Sequence, residues 1–60
     1  MDLIEASKLA DKLFGVKSFV EYNPNRSDCY IVGIDYPDYA VSISSEISWE
    51  DVIKQAKEKL

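Results

Sequence analysis

This chain has no histidine, a single cysteine (Cys29), two glycines and two prolines in 60 residues. Each shortage excludes something. One thiol rules out an internal disulfide, and without histidine a zinc site would rest on that thiol and carboxylates, so no metal centre is expected. Cys29 also has no histidine to activate it, and it reads as a small strand residue rather than a nucleophile. Neither Gly15 nor Gly33 belongs to a phosphate-cradling loop. No run approaches the roughly 18 apolar residues of a membrane span, and Met1-Asp2 opens no basic leader with an apolar stretch behind it. The expectation is a soluble, cytoplasmic protein that needs no cofactor.

What is present is acidic and short. Seven basic residues against eleven acidic ones leave a net charge of −4, which argues against unspecific attraction to nucleic acid or anionic lipid. A single domain, residues 1–60, is expected. A chain of this size buries only about 60% of the surface that its unfolded form exposes, so a second copy or a bound partner is a natural source of further stability.

Asp2 and Glu5 fit a capping box, and Leu3, Ala6, Leu9, Ala10 and Leu13 recur at helical spacing until Gly15. This predicts an amphipathic helix over 3–14, with Glu5 and Lys8 paired on its outer face. Val16 to Tyr22 alternates with a period of two and predicts a strand. Asn23 to Asp28 is dense in turn formers, and Cys29 to Tyr36, β-branched and aromatic on both faces, suits the central strand. Pro37-Asp38 turns the chain into a third strand, Tyr39 to Ser45. Proline fixes φ near −65°, so this connection should be type I and a little splayed or bulged. Ser48 and Asp51 then make a second capping pair, Ile47 can staple onto Val52, and Trp49, Val52, Ile53, Ala56 and Leu60 form the buried stripe of a final helix. The fold class is α+β: helix, strand, strand, strand, helix, with a three-stranded antiparallel sheet of order 1-2-3 and both helices on one face.

With Pro37-Asp38 at the tip, Ile34 opposes Val41 and Val32 opposes Ile43, which puts these four on the core face with Tyr30, Tyr36 and Tyr39. Val16, Val20 and Tyr22 join them from the first strand. The opposite face then carries Lys17, Phe19, Glu21, Cys29, Ile31, Gly33, Asp35, Ala40, Ser42 and Ser44, with Phe19 beside or over Gly33. A one-residue slip in the first hairpin would exchange Phe19 for Val20.

No catalytic constellation is present, and the chain reads as a non-enzyme. The acids Asp28, Asp35, Asp38, Glu46, Glu50 and Asp51 lack the spacing of a calcium loop. Asp35 and Asp38 together with Glu46 or Glu50 at one end of the sheet would permit weak binding of magnesium or calcium, although turn and capping duty accounts for the same acids more simply.

The stretch Tyr30 to Asp38, followed by the helix from Ser48 to Leu60 with its Ala56-Lys57-Glu58, resembles HicB-type antitoxins, in which a strand ending in Pro-Asp leads through another strand to such a helix. The resemblance covers about half the chain. It departs from the family in its first helix, in the missing glycine after Pro-Asp and in having no strand after the last helix. The element order is also similar to double-stranded RNA-binding and HicA-like domains. Those use basic residues at the start of the second helix, or a histidine, where this chain has Trp49-Glu50-Asp51 and none. What the resemblance implies is an interaction role around a nucleic-acid enzyme.

The expected function is therefore that of a small acidic protein-binding module, an inhibitor or antitoxin-like factor acting by surface occupation or by β-strand addition. Its alternative is a nucleic-acid mimic that sets its acids in a basic groove, or a direct RNA- or DNA-binding domain. The candidate binding residues are Phe19, Ile31, Asp35, Asp38, Ala40, Ser42, Ser44 and Glu46. The strand from Tyr39 to Ser45 has no charge, proline or glycine, which makes it an open template for a partner's strand or for a homodimer.

Overall fold

In a computed structural model that describes residues 1–60, the Asp2 carboxylate accepts from the Glu5 amide at 2.8 Å and opens helix α1, Leu3–Phe14. No reciprocal bond from Glu5 forms, and Glu5 and Lys8 do not pair. Gly15 ends the helix with φ 96° and ψ 178°, and its N–H donates to the Asp11 carbonyl. This backbone is positive in φ but extended in ψ, a region essentially confined to glycine.

The chain then runs through β1 (Ser18–Tyr22), β2 (Tyr30–Asp35) and β3 (Ala40–Ser45) to α2 (Trp49–Lys59). The strands form one antiparallel sheet in the order β1-β2-β3. Ile34 opposes Val41, Val32 opposes Ile43 and Phe19 opposes Gly33, so the first hairpin has no slip. Both helices lie on one face. Ala6 and Ala10 from α1 meet Trp49, Val52, Ile53 and Ala56 from α2 over Val32, with Leu9, Phe14, Val20, Tyr30 and Ile43 around them. Small residues on α1 let the helix approach the sheet closely, and Trp49 fills the space at one end, edge-on to the Tyr30 ring at 5.1 Å.

Several expected core positions lie outside it. Val16 precedes β1 in a turn and is 88% exposed. Tyr36 and Tyr39 sit beyond the ends of β2 and β3, where they stack on each other at 4.9 Å and remain exposed. Leu3, Leu13 and Leu60 lie at helix ends and are partly in water, as is Tyr22. Ile47 does not staple onto Val52: its amide is held by the Ser45 hydroxyl in the turn into α2, and its side chain is 74% exposed. The Ser48 hydroxyl accepts from the Asp51 amide, but the Asp51 carboxylate turns to Ser45 and Gln55 instead of reaching back.

Candidate protein-docking edge

Just outside the ladder, Tyr36 donates its N–H to the Tyr39 carbonyl at 2.8 Å. The reverse bond is absent. Bonded and non-bonded pairs alternate along an antiparallel ladder, so this bond sets the phase of the whole β2–β3 pairing. Ile34 with Val41, Val32 with Ile43 and Tyr30 with Ser45 are bonded pairs. Asp35 with Ala40, Gly33 with Ser42 and Ile31 with Ser44 are not. The β1 side agrees, since Asp35 donates to Lys17 and Asn23 to Cys29, which assigns the odd-numbered residues of β2 to β1. Ala40, Ser42 and Ser44 therefore turn their N–H and C=O groups away from the sheet. No other backbone group of the chain bonds to them.

The same three side chains lie on the face opposite the helices. Ala40 and Ser42 are exposed, and Ser44 is half-buried. Beside them Phe19 is half-buried over Gly33, while Ile31 is only 6% exposed. Ile31 is thereby corrected from a contact residue to a covered one, flanked by Glu21 and Ser44 on the neighbouring strands. Asp35 and Asp38 are exposed at the hairpin end of the sheet, and Glu46 is exposed just past its other end. At a rise of about 3.3 Å per residue the length of β3 separates these acids by roughly 17 Å. The candidate residues thus form a small, flat, uncharged shelf with an acid at either end.

Two carboxylates fix β3 in place. Asp28, in the β1–β2 loop, takes two bonds from the Arg26 guanidinium at 2.9 and 2.7 Å and a third from the Ser44 hydroxyl at 2.7 Å. The Arg26 hydrogen bonds, then the Ser44 hydroxyl, hold Asp28 far below the usual carboxylate range, and Arg26 is raised in turn by its bond to Asp28. The buried Ser45 hydroxyl donates to Asp51 at 2.6 Å, and Gln55 donates to the same oxygen at 2.7 Å. These bonds, Ser45 first, lower the pKa of Asp51.

The acids do not make a band. Asp28 is paired with Arg26, Glu50 lies 3.5 Å from the terminal amine, and Asp35 and Asp38 stand at the opposite end from Glu46, so the four acids considered for weak cation binding do not share one end of the sheet. No three potential ligands come together as a metal site. One feature had no signal in the spacing: a groove of about 360 Å³ where the starts of the two helices meet, lined by Leu3, Tyr22, Tyr30 and Trp49. Tyr22 is raised in pKa there, first by its neighbour Cys29 and then by loss of water. No helix is long and apolar enough to cross a membrane. Compared with family models, with curated proteins and with solved structures, the chain matches none of them.

Proposed function

We propose that this chain is a small cytoplasmic protein-binding module, of the inhibitor or antitoxin-like kind, that works by taking an extended segment along β3 and occupying a partner's surface rather than by catalysis. One observation carries the reading: Ala40, Ser42 and Ser44 present unpaired backbone donors and acceptors from a strand without charge or proline. Natural sheets guard such edges with lysine, proline or a bulge. The other edge strand, β1, has the exposed Lys17 just before it and the exposed Glu21 within it. In strand addition the main chain supplies affinity while alternate side chains supply specificity, and the small shelf of β3 leaves room for a partner's larger residues.

The nucleic-acid mimic draws no support from acids divided between two ends of the sheet, and direct nucleic-acid binding is opposed by the net charge of −4. The test uses a partner captured from the native host and then purified. Its binding is expected to slow hydrogen exchange of the Ser42 amide and to be lost in Ser42→Pro. Equal binding by the variant, with the Ser42 amide unprotected in the wild-type complex, would overturn the proposal.

A further inference from the structure

We propose that the strand accepted by β3 is β3 of a second copy of this chain, paired antiparallel about a two-fold axis at Ser42. The inference rests on the strand-addition reading above and names its partner.

Hydrogen bonding gives the first reason. A two-fold axis perpendicular to the sheet pairs residues of the same parity, so outward groups always meet outward groups. With the axis at Ser42, Ser42 pairs with Ser42 of the second copy and Ala40 with its Ser44. Every outward N–H and C=O of Ala40, Ser42 and Ser44 in both copies then has a partner. A shift of the axis to Ile43 would leave Ala40 against Glu46, beyond the end of the strand.

Side chains and helices agree with this register. On the helix face Val41 meets Ile43 of the second copy, both half-buried in one chain. On the open face only Ser and Ala meet, with no charge between Asp38 and Glu46. Helix α2 lies over both β2 and β3. With strands about 4.8 Å apart, the axis sets α2 and its copy about 10 Å from each other, at the upper end of the separation of packed helices. The two sheets become one, with all four helices on the same side. The register also has a cost, because Asp38 comes opposite Glu46 of the second copy at each end.

Sedimentation of the whole chain across a concentration series tests this, with folding of each variant checked by circular dichroism. The wild type should dimerise reversibly. Ser42→Pro removes an outward donor but no bond to β2, and should weaken the dimer at least tenfold. Ser42→Lys keeps the donor, sets two ammonium groups together at the axis and should weaken it as well, so that a misfolded proline variant does not decide the matter. Glu46→Lys should tighten the dimer severalfold by facing Asp38, and more than Asp11→Lys, which changes net charge equally on exposed α1. A wild type that stays monomeric, or a dimer indifferent to both Ser42 substitutions, would overturn the second-copy assignment. If that monomer gains Ser42 protection with a purified partner, strand addition stands; if its partner binding also ignores Ser42→Pro, both fall.

Discussion

The ring of Phe19 lies directly over Gly33 on the neighbouring strand, in the space where any other residue would carry its Cβ. A Cβ there would stand 2.6 Å from Phe19 Cε1 and 2.7 Å from the Val41 carbonyl oxygen, so both an aromatic ring and a backbone would have to move. Gly33→Ala should destabilise the fold by about 1–3 kcal/mol, read from urea unfolding. Part of that loss should disappear in a Phe19→Ala background. The Val41 share should remain, and a double-mutant cycle separates the two.

Trp49 is 5% exposed and packs edge-on to Tyr30, so Trp49→Ala removes the largest side chain at its end of the core. A loss of ~3 kcal/mol is expected. Against a total stability on the order of 3–9 kcal/mol for a chain of this length, that is enough to populate the unfolded state. Native fluorescence emission should be blue-shifted and should move to that of free tryptophan when the wild type unfolds.

Gly15 has open space around it, so Gly15→Ala tests the backbone alone. With φ at 96° and ψ near 180°, the substitution should cost about 1–3 kcal/mol in thermal or urea unfolding. Asparagine, which rescues left-handed helical positions, should not rescue this one, because ψ is extended.

Acid should weaken the fold through Asp51 and Asp28. Folding lowers both pKa values, Asp51 through Ser45 and then Gln55, Asp28 through Arg26 and then Ser44. The unfolded chain therefore binds these protons more readily, and their contribution is full above the ordinary carboxylate value near pH 4 and is lost as pH falls through the lower native values. Asp51→Asn should flatten the fall in stability below about pH 4. Ser45→Ala should bring the Asp51 titration, followed by NMR, back toward its ordinary position.

The pairing of β2 with β3 was legible because Pro37-Asp38 marks a turn and alternate residues on either side are apolar. The register of the first hairpin was open to a one-residue slip in the sequence, and the structure fixes it with Phe19 over Gly33. The aromatic residues were harder. Tyr36 and Tyr39 have the parity of core residues, but parity holds only within the ladder, and both lie past its end. Asp51 had the spacing of a capping residue. Its carboxylate found a nearer donor in Ser45, which becomes its neighbour only once β3 is laid beside α2. Of the proposed site, the uncharged strand was readable, whereas the burial of Ile31 depends on three strands lying side by side.

The two carboxylate ties to β3 both fall at one end of it. Ser44 is held by Asp28 and Ser45 by Asp51, while at the far end the turn adds only the bond from Tyr36 to Tyr39. The strand is therefore fastened more firmly at one end than at the other, and its opening has a direction. Among the amides bonded to β2, exchange should be fastest at Val41, slower at Ile43 and slowest at Ser45, while the outward amides of Ala40, Ser42 and Ser44 exchange freely. In the two-fold pairing proposed above, the fastened Ser44 of each copy would meet the loosely held Ala40 of the other, so both ends of the new ladder would start from one fixed strand.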